Sequence, residues 1–198
     1  TLRLFEITKE INVIPNFIDI KKYEEAKQAE CQRHLLAESS EKVITHVSNF
    51  RKVKRIDDVI KVFNSIQKEL PAKLIMVGEG PERESAEELV CQLGITDKVV
   101  FLGKSNEVDK ILCFSETESF GLAALEAMAS GVPVISSNTG GIPEVNIEGV
   151  SGYLADVGAI EVMATNALRI LKNEDILNQF KLNAKKTAKK FDLETIVS

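Results

Sequence analysis

The most constraining feature of the sequence is a repeated alternation between short apolar runs and longer segments with helical periodicity. Apolar and β-branched residues dominate the runs at 42–49, 72–78 and 98–103. Between the first two runs, the segment 55–70 spaces its apolar residues as one face of a helix. Strands that alternate with helices form a parallel sheet covered by helices on both faces. The sequence therefore predicts an α/β fold with a doubly wound, Rossmann-like parallel sheet.

The same alternation continues to the end of the chain. The segment 81–94 predicts a helix, because a proline lies near its start and a glycine follows its end. The remaining predicted elements are a strand at 11–16, a helix at 120–131, a strand at 132–137, and helices at 160–173 and 176–191. The last helix is basic, and we interpret its lysines as a solvated face, with phosphate or membrane contact as the alternative.

Ligands of such sheets bind beyond the carboxyl ends of the strands, so the loops that follow strands are the candidate site. Most of the unusual residues of the chain fall in five such loops, at 48–55, 78–83, 103–107, 115–121 and 137–144. The glycine pair of the last loop suggests either a cradle of backbone amides or a simple turn. His46 lies within a predicted strand and is expected to be a core residue, whereas His34 is expected at the surface.

The loop at 48–55 carries a cluster of four cations, namely Arg51, Lys52, Lys54 and Arg55. Such a cluster at the carboxyl end of a strand can neutralise a diphosphate. A solvated basic turn is the alternative interpretation.

The loop at 78–83 resembles part of a dinucleotide-binding fingerprint. Gly78 and Gly80 fit that pattern, but Arg83 stands at the third glycine position, so no nicotinamide cofactor is expected. We interpret the two glycines as a tight turn that lets the backbone approach a ligand.

The acidic segment 116–144 contains two carboxylates around the expected start of a helix. Phe120, Gly121 and Leu122 should open this helix with unpaired amide groups and the positive end of its dipole, where a phosphate binds well. Glu118 precedes the helix and Glu126 lies inside it. Carboxylate oxygens accept hydrogen bonds from vicinal hydroxyls, so the pair suggests recognition of a ribose and a sugar. The alternative is that both acids are surface residues of an amphipathic helix.

Composition excludes several classes of function. The net charge of −5 argues against non-specific nucleic-acid binding, which needs a basic excess. Three scattered cysteines argue against a disulfide framework and favour a reducing cytoplasm. Cys31 and His34 have no second pair of metal ligands, so no metal site is expected. No apolar run has the length of a membrane span.

Taken together, these motifs resemble the C-terminal, donor-binding domain of the retaining glycosyltransferases of family 4, which have the two-domain GT-B fold. The most specific element is a pair of glutamates, Glu118 and Glu126, with seven residues between them. The motifs "SFGL", "EAMASGVPVI", "GGIPE" and "GYL" lie in the register that the family has relative to this pair. The resemblance implies that residues 1–198 form this domain, with a core at 11–172 and a C-terminal helical segment at 173–198. The N-terminal acceptor domain would lie outside these residues.

The resemblance also implies roles for individual residues. Glu126 should accept hydrogen bonds from the ribose and Glu118 from the donor sugar, while Lys54 should bind the diphosphate. The family usually has an arginine where Asn49 stands, and Arg51 is expected to substitute for it. Further nucleotide contacts are expected at Ser119, Phe120, Gly121, Leu122, Gly78, Gly103 and Lys104. The family requires no tightly bound divalent metal, so no cofactor is expected besides the nucleotide-sugar donor, and the small-molecule acceptor is expected to bind through the N-terminal domain.

Within this family, the motifs are most similar to bacterial enzymes of bacillithiol biosynthesis that transfer N-acetylglucosamine from UDP to L-malate. The isolated chain would then bind UDP-N-acetylglucosamine with little or no turnover. The alternatives are a family-4 enzyme with another nucleotide sugar or acceptor, a noncatalytic nucleotide-sugar-binding module and an NAD-binding domain. No nucleic-acid partner and no membrane span are expected. A homo-oligomer is an open alternative to a monomer.

The junction between Ser115 and Glu116 departs from the family pattern. In that family a helix such as "NEVDKILCFS" is followed by a strand of the sheet before the acidic motif, whereas here the two adjoin. We therefore expect about five to seven residues, the length of one ordinary strand, to be missing at this junction.

Overall fold

The structure, a computed structural model, describes residues 17–25, 36–103 and 122–197. Its strands are β1 (Lys42–Val47), β2 (Ala72–Val77), β3 (Val99–Gly103), β4 (Val134–Ser137) and β5 (Gly152–Ala155). Its helices are α1 (Ile20–Glu25), α2 (Ile56–Gln67), α3 (Arg83–Gln92), α4 (Leu122–Ala129), α5 (Ile142–Val145), α6 (Ile160–Leu171), α7 (Glu174–Ala188) and α8 (Leu193–Val197). Short 3-10 turns lie at Lys52–Lys54, Thr96–Lys98 and Lys189–Phe191. The strand predicted at 11–16 lies outside the described residues.

The described strands form two parallel sheets. The first has the order β1-β2-β3, with His46 opposite Met76 and Val77 opposite Gly103. The second pairs β4 with β5 and sets Val134 opposite Gly152. Parallel strands joined through helices confirm the predicted α/β class, although the strands form two groups in the described part of the chain. Strand β5 was not predicted.

Both faces of the first sheet are covered, as parallel sheets require. Along β2, Leu74 and Met76 point into the main core, whereas Ile75 and Val77 belong to a smaller cluster on the other face. The main core is built by α2 and α6, which pack on one another. Phe63 of α2 and Met163 of α6 are fully buried there, so the predicted apolar stripes of both helices are confirmed. Burial of such side chains stabilises the fold by roughly 1.5–3 kcal/mol each.

A second core holds α4 in place. Leu125 and Met128 of α4 are completely buried, together with Val134 of β4 and Ala184 of α7. The alanines of α4 allow α7 to pack closely against it. The apolar side of α4 is therefore fixed, and the orientation of Glu126 on the same helix follows from this packing.

A buried polar network closes the end of the second sheet. The Asn146 amide nitrogen donates to the carbonyl oxygens of Val134 and Tyr153, each at 3.2 Å, and to the hydroxyl of Ser136 at 2.9 Å. The Ser151 hydroxyl donates to the Asn146 side-chain oxygen at 3.1 Å. Asn146, Ser136 and Ser151 are all completely buried, so these bonds satisfy groups that water cannot reach.

The basic C-terminal helix confirms most of the predicted solvated face. Lys186, Lys189 and Lys190 are exposed, but Lys185 is half-buried and its aliphatic chain lies over Gly131. In the described part of the chain, no helix has both the length and the apolar character that a bilayer crossing requires.

Candidate functional site

Two turns meet the end of β3 at the carboxyl edge of the first sheet. The amide of Gly78 donates to the carbonyl oxygen of Gly103, the last residue of β3, at 2.6 Å. The amide of Glu82 donates to the carbonyl oxygen of Phe50 at 2.9 Å. A side chain on Gly78 would meet the carbonyl oxygen of Ser48 at 1.8 Å, so this turn packs backbone to backbone on the turn after β1. Asn49 and Gly78 therefore lie on adjoining turns, beside Gly103. Contact of these residues with a nucleotide stays a prediction.

The glycine pattern at 78–80 has a packing role. A Cβ atom on Gly80 would lie 2.6 Å from the carbonyl oxygen of Phe50, which excludes a larger residue. Its neighbour in the pattern, Arg83, starts α3 and places its guanidinium 5.7 Å from the centre of the Phe101 ring. Hydrogen bonds to Glu87, at 2.8 Å, and to Glu79 raise the pKa of Arg83. The arginine at the third glycine position thus contacts Phe101 and the two glutamates on this side of α3.

Aromatic packing anchors the basic loop at its start. Phe50 is completely buried between the rings of His46 and Phe101, with ring centres 6.3 and 6.4 Å away. His46 is only 1% exposed, and its Nε2 atom lies 2.8 Å from the hydroxyl of Ser48. The prediction that His46 is a core residue is therefore confirmed. This packing fixes the point where the chain leaves β1 for the cationic turn.

The predicted phosphate-binding cations occupy the turn that follows. Asn49 and Arg51 are exposed and Lys54 is half-buried, and the Lys54 amide donates to the Arg51 carbonyl oxygen at 2.8 Å. The structure thus brings Arg51 and Lys54 together on one turn beside Asn49. This arrangement concentrates positive charge where the predicted site needs it.

Arg55 differs from the other cations of the loop. Its backbone is left-handed, with φ at 48°, and its guanidinium forms an ion pair with Asp58. The same guanidinium lies against Gly158, where an added Cβ would be 3.1 Å from Nη2. Arg55 therefore links the turn after β1 to the turn after β5, and Asp58 already balances its charge. The loop pattern alone did not reveal this bracing role.

Only part of the predicted acidic motif lies in the described chain. Leu122 and Glu126 belong to α4, and the predicted helix is confirmed over 122–129. Glu118, Ser119, Phe120, Gly121 and Lys104 lie outside the described residues, as do Cys31, His34 and the junction of Ser115 with Glu116. The proximity of Glu118 to Glu126 therefore stays a prediction.

Glu126 has a neighbour that the sequence pattern does not predict. It is half-buried, and Tyr23 of α1 packs against the core that holds α4. Burial of the phenol and the nearby negative charge of Glu126 raise the pKa of Tyr23 to about 12. Because both effects favour the protonated phenol, Tyr23 is uncharged at neutral pH.

The raised pKa of Tyr23 predicts a specific alkaline loss of stability. An unfolded tyrosine ionises near pH 10, so between pH 10 and about 12 the unfolded chain releases a proton that the folded chain retains. The stabilisation from Tyr23 is therefore complete below pH 10 and decreases above it. Urea unfolding of wild type and Tyr23→Phe across this range should show their stability difference shrinking as pH rises. A constant difference would contradict the raised pKa.

Among the side chains that the structure describes, no three His, Cys, Asp or Glu residues are grouped closely enough to hold a metal ion.

The family model for glycosyl transferases group 1 matches residues 27–187 of the chain. N-acetyl-alpha-D-glucosaminyl L-malate synthase of Bacillus anthracis is 42% identical over 206 residues, which cover 100% of this chain and 54% of that protein. A D-inositol 3-phosphate glycosyltransferase of Segniliparus rotundus is 29% identical over 167 residues, covering 77% of this chain and 37% of that protein. The chain thus spans about half the length of the first of these relatives, and less of the second.

Solved structures share the fold. Anabaena HepE in complex with UDP and glucose superposes with a TM-score of 0.81 at 26% identity, covering 93% of this chain and 54% of that chain. The C-terminal domain of a glycosyl transferase group 1 family protein from Francisella tularensis gives a TM-score of 0.77 at 22% identity, covering 89% of this chain and 99% of that one. These likenesses confirm the expected GT-B type of fold. Because the family model matches most of the chain, the chain belongs to the group 1 glycosyl transferases.

Proposed function

We propose that the chain is the donor-binding domain of a retaining glycosyltransferase that transfers N-acetylglucosamine from UDP-N-acetylglucosamine to L-malate. The observation that carries this proposal is the 42% identity, over the whole chain, to the Bacillus anthracis synthase. A second candidate is a related transferase with a different nucleotide sugar or acceptor, because D-inositol 3-phosphate glycosyltransferases are also similar to the chain.

The charges of the site support binding of a nucleotide diphosphate. Breaking the anomeric C–O bond leaves negative charge on the diphosphate and positive character on the sugar. Lys54 and Arg51 share one turn at the carboxyl edge of the sheet, where they would stabilise the departing diphosphate. The amides around Ser119, Phe120, Gly121 and Leu122 would supply further donors at the start of α4.

The acidic residues would bind the neutral parts of the donor. Glu126 would accept hydrogen bonds from the ribose hydroxyls, and Glu118 would accept them from the sugar. Asn49, Gly78, Gly103 and Lys104 would line the nucleotide beside the diphosphate. The leaving phosphate would guide attack by the malate hydroxyl on the same face of the sugar. This attack would give retention of configuration without a protein nucleophile or a tightly bound metal.

The acceptor would be held largely by an N-terminal domain that is separate from these residues. The isolated chain is therefore expected to bind the donor but to turn it over slowly or not at all. Loss of turnover together with retained donor binding is the combination expected for a donor domain alone.

Calorimetric titration of the chain with a panel of nucleotides tests the donor assignment. UDP and UDP-N-acetylglucosamine should bind, whereas GDP and NAD should bind much more weakly. UDP-glucose tests the donor part of the second candidate, because tighter binding of UDP-glucose than of UDP-N-acetylglucosamine would favour a different nucleotide sugar. Preferential binding of NAD would contradict the family-based assignment of the site.

Glu126→Gln should weaken UDP binding by about 1–3 kcal/mol, because a charged acceptor of the ribose hydroxyls is lost. This corresponds to roughly a fivefold to 150-fold increase in the dissociation constant. Glu88→Gln, at an exposed position on α3, is the matched control and should bind UDP normally. Equal UDP affinity of wild type and Glu126→Gln would remove Glu126 from the ribose site.

A further inference from the structure

The basic turn that carries Lys54 is fixed by burial on both sides. Phe50, before the turn, is completely buried, and Ile56, the first residue of α2, is only 2% exposed. Between these two anchors the backbone forms the 3-10 turn at 52–54, and Arg55 joins that turn to α2. The orientation of Lys54 relative to the sheet therefore depends on how the chain passes through Arg55 into the helix.

Arg55 makes this passage in a conformation that is unusual for its residue type. Its φ of 48° and ψ of 50° are left-handed, and no other non-glycine residue in the described part of the chain has a positive φ. Its amide closes the 3-10 turn on the carbonyl oxygen of Lys52 at 3.0 Å. Its own carbonyl oxygen accepts from the amides of Asp58 and Val59, at 2.9 and 3.3 Å, and so begins α2. A right-handed residue here would carry the turn straight into the helix and rotate Lys54 about its axis.

The side chain of Arg55 stabilises this strained conformation. A left-handed backbone costs free energy for any residue that has a Cβ atom, and it persists only where surrounding contacts enforce it. The Arg55 Nε atom forms an ion pair with the carboxylate of Asp58, on the first turn of α2. Its Nη2 atom lies against the turn after β5, 3.1 Å from the place of a Cβ on Gly158. One planar guanidinium thus braces the junction against two separate elements.

We propose that Arg55 is a positioning residue that holds Lys54 in place for the diphosphate, by keeping the junction between the basic turn and α2 left-handed. This inference rests on the proposed function, because it takes Lys54 as a ligand of the diphosphate. Arg55 acts through the neighbouring lysine and does not itself bind the nucleotide.

The charges around Arg55 favour this indirect role over direct binding of the diphosphate. The Asp58 side chain is 11% exposed, so the ion pair is largely shielded from water. The carboxylate offsets the charge of the guanidinium and uses its Nε donor. Arg55 therefore provides geometry at the site, and Lys54 provides charge.

Two substitutions separate the backbone conformation of Arg55 from its charge. Arg55→Ala and Arg55→Gly both remove the guanidinium and both leave Asp58 without this partner, but only glycine adopts the left-handed conformation without strain. In calorimetric titrations, Arg55→Gly should bind UDP about threefold to tenfold more tightly than Arg55→Ala. Wild type should bind UDP at least as tightly as Arg55→Gly. Uridine should bind both variants equally, because it has no phosphate for Lys54 to contact.

Two controls complete the design. Lys61 is an exposed residue within α2, so Lys61→Gly and Lys61→Ala should bind UDP equally, although glycine weakens the helix. In a Lys54→Ala background, the difference in UDP affinity between Arg55→Gly and Arg55→Ala should disappear, because it is transmitted through the lysine. The ratio of UDP to uridine affinity within each protein is unaffected by any loss of folded fraction.

The outcomes separate the positioning role from the proposed function. Equal UDP affinities of Arg55→Gly and Arg55→Ala would overturn the positioning role, whether both bind weakly, as for a direct ligand, or both bind like wild type. A difference that persists without Lys54 would overturn it too. Unchanged UDP affinity of Lys54→Ala alone would reject the diphosphate site itself, whatever Arg55 does. A loss in Lys54→Ala with equal Arg55 variants would leave the proposed function intact and reject Arg55.

Discussion

Replacing Gly152 with alanine is expected to destabilise the domain by about 3–4 kcal/mol, at the upper end of what overpacking causes. A Cβ atom at this position would lie 1.8 Å from the carbonyl oxygen of Val134 and 2.6 Å from the side-chain oxygen of Asn146. The first contact is with the backbone of the paired strand β4, and the second is with the buried network. The two strands would have to separate, which would leave buried polar groups without partners.

Gly149→Ala provides a matched control in the preceding turn. Gly149 has a φ of 70°, but nothing lies within 4 Å of an added Cβ, so only the backbone conformation resists the substitution. We expect a cost of about 1 kcal/mol there. Chemical unfolding of both variants measures the difference. Similar stabilities for Gly152→Ala and Gly149→Ala would show that β4 and β5 do not pair as described.

Much of the fold could be predicted from local patterns. The runs that became β1, β2 and β3, and the stripes of α2 and α6, carry enough apolar residues at the right spacing to identify each element. Strand β5 was missed because it has four residues and begins with a glycine, which provides too little periodicity. Its existence depends on pairing with β4 and on Asn146, which are tertiary interactions.

The site was predictable where it depended on loops after strands. The position of Arg51 and Lys54 at the carboxyl edge followed from the strand pattern. The proximity of Tyr23 to Glu126 was not predictable, because Tyr23 is distant in sequence and reaches α4 through the packing of residues 18–20. The ion pair of Arg55 with Asp58 was also missed, because charge composition alone does not distinguish a bracing cation from a ligand-binding one.

The predicted gap between Ser115 and Glu116 lies outside the described residues. The alignment with the Bacillus anthracis relative spans 206 residues against the 198 of this chain, so that relative contains residues with no counterpart here. The location of such a difference at this junction stays a prediction.

Lys54→Ala is expected to weaken UDP binding by about 1.5–3 kcal/mol, the range for a hydrogen bond to a charged group. This is roughly a tenfold to 150-fold increase in the dissociation constant. Uridine carries no phosphate, so its affinity should be nearly unchanged. Lys52→Ala is the matched control, because Lys52 is exposed on the same 3-10 turn and should affect UDP much less.

Ionic strength distinguishes an electrostatic role of Lys54 from a structural one. Raising the salt concentration from about 0.1 M to about 1 M shortens the screening length from roughly 10 Å to roughly 3 Å. The difference in UDP affinity between wild type and Lys54→Ala should therefore shrink, since the charge of the lysine is screened from the diphosphate. If uridine binding falls as much as UDP binding and salt has no effect, Lys54 supports the turn after β1, and the diphosphate must be bound by other residues.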